Sequence, residues 1–301
     1  MTVTQVGFIG LGNMGSPMAG HLVDGGFALT VSDAAPGVTE RFVAEHPTAI
    51  AAADRQSFAT AQALILMLPT SDMVEDVLER ENVADALPPG CLVIDMSSSE
   101  PLRTRSLAAR LQARGLSMID APVSGGVRGA RAARLSVLVG GSEADLTRAT
   151  PLLEAMAGTI IRVGDIGSGH AAKALNNLVS AATMSITVEA LVIAQAFGIT
   201  AGTMTEVLNS SSGRSNTSEN KLAQFMTSGS FDSGFSLQLM AKDVGLAIAL
   251  ARALDRPVEV ADDVAGQWRR IAAQVTPATD HTQMYTLLGA TLPDAQAGEK
   301  S

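Results

Sequence analysis

One amine and two amides stand within a short stretch of this chain: Lys173, Asn176 and Asn177, just after the turn-prone Gly167-Ser168-Gly169. Spacings of three and four residues place both Asn side chains beside Lys173 on a helix surface. An ammonium with two amides suits holding and protonating a small, oxygen-rich molecule. The alternative is a solvated polar stripe at a helix start, and the stretch alone does not decide between them. His170, one turn earlier, is a rival acid or base, although the junction of loop and helix better fits capping or solvent.

A second chemical signal opens the chain. Gly10, Gly12 and Gly15 form G-x-G-x-x-G, with Leu11, Asn13 and Met14 completing the loop. The pattern follows a strand-like run and opens a helical one, which is the context a dinucleotide-binding turn requires. Gly10 permits the tight turn, Gly12 lets backbone approach a pyrophosphate, and Gly15 allows helix and sheet to pack closely. Free N–H groups at the helix start then face the phosphates. The next strand-like run ends in Asp33, whose carboxylate can accept both ribose hydroxyls and repels a 2′-phosphate. Two like charges 4 Å apart cost about 4 kcal/mol at an effective dielectric of 20, so NAD is expected over NADP. The competing role for Asp33 is a helix N-cap ahead of Pro36. Leu68, Pro69 and Ser98 also follow strand-like runs, where ligands of open α/β sheets bind. Ser98 and Ser99 could equally cap the helix after Pro101.

A third turn, with Asp120, Ser124, Gly125 and Gly126, leaves small residues and bare amides that suit a carboxylate. Arg128, Arg131 and Arg134 follow at a spacing that also describes an ordinary solvated face. Asn209 to Asn216, rich in serine, could line a substrate pocket or be a polar loop between helices. Four histidines and the single Cys91 show no metal-ligand spacing, so no metal is expected.

These residues need a scaffold, and the chain alternates to supply one. Apolar runs at 6–10, 28–31, 63–68, 92–96, 117–119, 135–139 and 160–163 are separated by helical patterns at 17–23, 72–79, 101–114 and 143–156. Continuous apolar strands between helices predict a doubly wound, Rossmann-like parallel sheet over residues 1–164. After Gly164 the strands disappear. A long helix over 171–197, about 40 Å at 1.5 Å per residue, leads into an all-α domain, 165–301, with further helices at 203–208, 220–227, 237–254, 258–274 and 281–288. With 301 residues, 47% hydrophobic and 17% charged, the chain is globular. A net charge of -9 without a basic run argues against nucleic acid, and an anionic substrate would need a locally positive pocket. No 18-residue run of apolar side chains occurs, and one cysteine excludes an internal disulfide. A soluble cytoplasmic protein without membrane contact is expected, and the Ala-rich second domain suggests a homodimer or homotetramer.

Four separated segments, GFIGLGNMGSPMA (7–19), DAPVSGG (120–126), GSGHAAKALNN (167–177) and LMAKDVGLA (239–247), resemble in order those of the β-hydroxyacid dehydrogenase family. The resemblance implies a catalytic Lys173, a substrate held by Asn177, Ser124, Gly125 and Gly126, and a pocket wall at Phe235. It also implies cofactor contacts at Leu68, Pro69 and Ser98, with Lys242 near the nicotinamide and Asp243 supporting the site. His21 and Met73 depart from residues usual in the family. The implied reaction is NAD-dependent interconversion of a small 3-hydroxy acid and its semialdehyde, as in 3-hydroxyisobutyrate dehydrogenase or tartronate semialdehyde reductase. A sugar-acid or sulfonate dehydrogenase, a non-catalytic dinucleotide-binding module and an imine-reducing relative are the alternatives, and the last two would be expected to lose Lys173. Replacing Asp33 with Asn should erode the preference for NAD over NADP, measured as the ratio of kcat/KM for the two cofactors, and an unchanged ratio would remove Asp33 from that role.

Overall fold

The computed structural model describes residues 3–292, so the fraying expected from residue 293 onward lies outside the described residues. The chain divides into two compact units, Met1–Lys173 and Ala174–Ser301. The first contains β1 (Gln5–Ile9), β2 (Ala28–Ser32), β3 (Ile50–Ala51), β4 (Ala63–Leu66), β5 (Leu92–Asp95), β6 (Ser117–Asp120), β7 (Val123–Ser124), β8 (Leu135–Gly140) and β9 (Ala157–Gly164). Between them lie α1 (Gly15–Asp24), α2 (Val38–Glu45), α3 (Ser71–Glu75), α4 (Val83–Ala86), α5 (Pro101–Gln112), α6 (Gly126–Arg131) and α7 (Glu143–Glu154). A π-helical turn, Asp76–Arg80, continues α3.

Six strands run in the order β3-β2-β1-β4-β5-β6, all parallel, with Phe8 of β1 opposite Val31 on one side and Ile65 on the other. Side chains alternate between two apolar layers. Ala63 and Ile65 of β4 join Leu92 and Ile94 of β5 in one, while Leu64, Leu66 and Val93 enter the other. A strand that buries both faces needs an unbroken apolar run, and these strands have one. The expected parallel sheet runs through β6, and the strands beyond it are mixed in direction. β8 runs antiparallel to β6 and β7, and β9 is parallel to β8. The connection from β7 back to β8 holds only the Gly125–Gly126 turn and the short α6, too little for a parallel crossover of a dozen or more residues.

Local chemistry sets the helix starts. Pro101 opens α5 with its fixed φ, and Ser142 accepts the Asp145 N–H at the start of α7. Neither Ser98 nor Ser99 caps α5. Glu100 occupies the cap position, and the Ser99 hydroxyl turns inward to Asp95.

The second unit is helical. It holds most of α8 (Ser168–Phe197), then α9 (Ala201–Ser210), α10 (Asn216–Asn220), α11 (Leu237–Ala253), α12 (Glu259–Ala272) and α13 (Met284–Leu287), with a π-helical turn at Leu222–Met226. By length and composition α8 could cross a bilayer. Its row of Ala181, Met184, Val188 and Leu191 is instead buried with Trp268 and Tyr285 in a protein core. Trp268 donates its indole N–H to Ser185 at 3.0 Å, which satisfies the one polar atom of that ring inside the core. The two units divide within α8 rather than at the Gly164–Gly169 loop, because the first turn of α8 is hydrogen-bonded to the end of β6, as described below.

The glycine loop after β1 separates packing from openness. A Cβ on Gly15 would meet the Gly10 carbonyl oxygen at 1.8 Å, and one on Gly10, whose φ is +101°, would meet that of Met67 at 2.3 Å. At Gly12 nothing lies within 4 Å. Gly15→Ala should therefore cost about 3 kcal/mol in urea unfolding, while Gly12→Ala should stay within about 0.5 kcal/mol of the parent.

Candidate active site

The open side of Gly12 fits a phosphate-bearing cofactor, since the missing side chain there serves no packing purpose. Gly12 and Asn13 are exposed and Met14 is half-buried. Leu11 differs: its side chain is buried in the sheet core, so only its backbone is available at the loop. Its N–H donates to Asp33 Oδ2 at 2.7 Å, and the Ala35 N–H donates to Asp33 Oδ1 at 2.7 Å. Asp33 does not cap α2, whose cap position is Gly37. Each carboxylate oxygen has a second lone pair, so two further hydroxyl donors can still be accepted at the end of β2.

The ends of β4 and β5 are tied together by Ser97, a residue that no local motif marks. The Leu68 N–H donates to Ser97 Oγ at 2.9 Å, and the Ser97 N–H donates to Asp95 Oδ1 at 3.0 Å. Leu68, Pro69 and Ser98 thus occupy adjacent strand ends, with Pro69 exposed and Ser98 half-buried. Met73, in α3, is 48% exposed.

Ser124 is half-buried in β7, paired with Ser136 of β8. Gly125 and Gly126 follow with φ of +125° and +60°, a backbone path that other residues enter only under strain. Arg128, Arg131 and Arg134 are all exposed, the solvated alternative. So is most of the stretch from Asn209 to Asn216, which runs from the last turn of α9 through a loop over 211–215, closed by the Ser215 cap, to the first residue of α10.

Asp120 has a role that its motif did not reveal. Its side chain is fully buried at the end of β6; Oδ1 accepts the Gly167 N–H at 2.6 Å and Oδ2 the His170 N–H at 2.7 Å. These are donors at the start of α8, where helices have unsatisfied N–H groups. Burial raises the Asp120 carboxyl above the usual carboxylate range, against the opposing pull of His170 and the two backbone donors. Gly140 and Gly169 make the space: a Cβ on Gly140 would meet Asp120 Oδ1 at 2.3 Å, and one on Gly169 would meet Leu138 O at 2.2 Å.

His170 lies neither in solvent nor at a surface cap, which corrects the expectation for it. Its ring is buried, with Nδ1 2.8 Å from Thr104 Oγ1 and Nε2 3.1 Å from the Ser97 carbonyl oxygen. A carbonyl only accepts, so Nε2 carries a proton. Asp95 and Asp120 each approach the ring to 3.8 Å. Both nitrogens are engaged, which leaves His170 unsuited to exchanging protons with a substrate.

Lys173 stands one turn further along α8 and is buried, at 8% exposure. Asn176 is exposed, so it does not share the buried surface of Lys173 and Asn177. In the second unit Asn177 is buried, and its amide donates to Asp243 Oδ2 at 2.6 Å. Lys242 Nζ lies 3.3 Å from Asp243 Oδ1, so α11 presents a carboxylate set between an amide and an ammonium. Phe235, half-buried before α11, packs edge-on to His281 at 5.6 Å. Its loop is held by Asp280, which accepts the Gly234 N–H at 2.8 Å and the Phe235 N–H at 3.3 Å.

Residues 5–164 match the family described as the NAD binding domain of 6-phosphogluconate dehydrogenase, and residues 167–288 match the NAD-binding family of NADP-dependent 3-hydroxyisobutyrate dehydrogenase. A 2-(hydroxymethyl)glutarate dehydrogenase from Eubacterium barkeri is 39% identical over 246 residues, 81% of each chain. An NAD-dependent L-serine dehydrogenase from Pseudomonas aeruginosa is 38% identical over 256 residues, 83% of this chain and 86% of that one. The structure of Mycobacterium tuberculosis 3-hydroxyisobutyrate dehydrogenase with L-serine superposes with a TM-score of 0.88 at 33% identity, covering 96% of this chain and 100% of that one. Two matched stretches from residue 5 to residue 288, and relatives aligned over most of both chains, converge on one assignment: the chain belongs to the β-hydroxyacid dehydrogenase family of NAD(P)-binding oxidoreductases.

Proposed function

We propose that the chain is an NAD-preferring dehydrogenase that interconverts a small β-hydroxy acid and its semialdehyde, with Lys173 as general acid and base. The observation that carries this reading is the buried Lys173, one helical turn before an Asn177 whose amide is fixed by Asp243. The substrates named for the relatives, 2-(hydroxymethyl)glutarate, L-serine and 3-hydroxyisobutyrate, share one pattern. Each is a hydroxymethyl group on the carbon that carries the carboxylate, and only the third substituent differs. A substrate of the form HOCH2–CH(R)–COO⁻ is therefore proposed, with 3-hydroxyisobutyrate as the reference case.

In this reading the Gly10–Gly15 loop and Asp33 hold the dinucleotide, and Asp33 disfavours a 2′-phosphate by charge. The bound nicotinamide supplies the hydride for reduction or takes it during oxidation. Lys173 donates a proton to the forming alkoxide in one direction and accepts the hydroxyl proton in the other. Ser124 and the Gly125–Gly126 amides hold the carboxylate, and Asn177 orients the hydroxyl. Asp243 keeps the Asn177 amide in one orientation and neutralises Lys242. Phe235 forms an apolar wall that keeps water from the reacting carbon.

A homo-oligomer is part of the proposal. Leu175, Val179, Ile186, Ile193 and Phe197 of α8 are 48–85% exposed, a row of apolar side chains suited to a second copy.

Lys173→Ala should lower kcat by at least about a hundredfold while cofactor binding, followed by fluorescence titration, survives. Near-normal turnover would remove Lys173 from the role. A panel of HOCH2–CH(R)–COO⁻ acids assayed with NAD and NADP tests the substrate class. Changing Val179 and Ile186 together to Glu should shift the assembly toward monomer in light scattering, and an unshifted mass would place the interface elsewhere.

A further inference from the structure

Lys221 is an ammonium that neither the fold nor the proposed reaction uses. It is half-buried at the end of α10, and Nζ donates to Ser180 Oγ at 3.3 Å. Ser180 stands seven residues after Lys173 and three after Asn177 on α8. Positions i, i+4 and i+7 fall on one face of a helix, so Lys221 reaches the turn that follows Asn177 on its own face.

No carboxylate pairs with Lys221 among the described residues. Asp280 is the acid whose field it feels, but that carboxylate is already committed. It accepts from the Ser233 hydroxyl, the Gly234 and Phe235 N–H groups, and both the N–H and the hydroxyl of Thr282. Those bonds, with that from His281, outweigh burial and hold the Asp280 carboxyl well below the usual range. They fix the Phe235 loop rather than neutralise Lys221. His281, the other titratable group of that turn, is held below its ordinary value by burial, and an imidazole, neutral or protonated, supplies no anion to Lys221. A partly desolvated ammonium with one hydroxyl partner is costly unless an anion joins it. The cost appears in Lys221 itself, which burial pushes down to about 8 despite the attraction of Asp280.

We propose that Lys221 is an anion anchor for the variable substituent of the substrate, selecting β-hydroxy acids whose R group ends in a second carboxylate. The proposal rests on the dehydrogenase reading for the identity of the ligand. Asn177, between Lys173 and Ser180 along the helix face, stands where the hydroxyl end of the substrate meets its side group. A distal carboxylate on Lys221 would gain a charge-assisted hydrogen bond and restore a full charge partner in a site of reduced dielectric.

The test is calorimetric titration of the NAD-saturated protein with glutarate and with valerate, which match in carbon count and differ by one carboxylate. Glutarate should bind at least about tenfold tighter at pH 7. Lys221→Met should bring the two within about twofold, and Lys221→Arg should keep most of the preference. Equal binding by the parent protein, or a glutarate preference that survives Lys221→Met, overturns the proposal. Should Lys221→Met fail to fold, the parent decides alone. Its glutarate preference should fade between pH 7 and about 9.5, as the ammonium of free Lys221 is lost, and persistence to that pH refutes the anchor. None of these titrations requires turnover, so a hydroxy-acid panel without activity would count against the dehydrogenase reading and leave this measurement to stand or fall separately.

Discussion

The first turn of α8 depends on one carboxylate in the interior. Asp120 accepts two backbone donors of that turn while fully shielded from water. An isolated ionised carboxylate so placed would cost many kcal/mol, and it is tolerated only because N–H groups converge on it. Gly140 and Gly169 lack side chains where any would collide with this arrangement. The carboxylate therefore fixes where α8 begins relative to β6, and so the place of Lys173 one turn later. His170 completes the lock from the other side, bridging Thr104 of α5 and the backbone after β5. In the role proposed for Lys173, a proton donor must be placed to within a fraction of an ångström, and a helix start pinned at both edges suits that demand.

In the second unit the same economy recurs. Asp243 is buried with an amide on one oxygen and an ammonium on the other. Asp280 gathers donors from the Ser233–Phe235 loop and from Thr282. Both acids spend their charge on geometry. Each orders a short polar segment that would be loose in isolation, and each does so beside a residue proposed to hold the substrate, Asn177 or Phe235.

What could be read from the sequence follows the range of the interactions. The strands β1, β4 and β5 announce themselves because burial on both faces demands continuous apolar runs, and α8 because its pattern persists over many turns. Two-residue strands leave no such mark, so β3 and β7 went unforeseen. The apolar pattern of α2 is weak, since Phe42 is its one buried side chain and Val38 and Val43 are only partly buried beside it. The glycine loop was legible as a motif, whereas the division of labour within it was not: only the distances show Gly10 and Gly15 crowded and Gly12 open. Asp120, Ser97 and His170 act on partners dozens of residues away, and nothing local to them signals it. Asn176 and Asn177 read alike in the sequence, and only the rotation of α8 separates the exposed one from the buried one. Lys221 likewise looks like any surface lysine until its neighbours are known.

Asp33 carries a consequence for anyone wishing to redesign cofactor use. Its carboxylate braces the glycine loop through Leu11 and its own turn through Ala35, while each oxygen keeps a lone pair for a further donor. Trading it for a small neutral residue to admit a 2′-phosphate removes repulsion and scaffold in one stroke. The loop would then lose definition just where the new cofactor must be held. In the proposed role of Asp33, a productive exchange has to restore the brace from a second position as well as remove the charge.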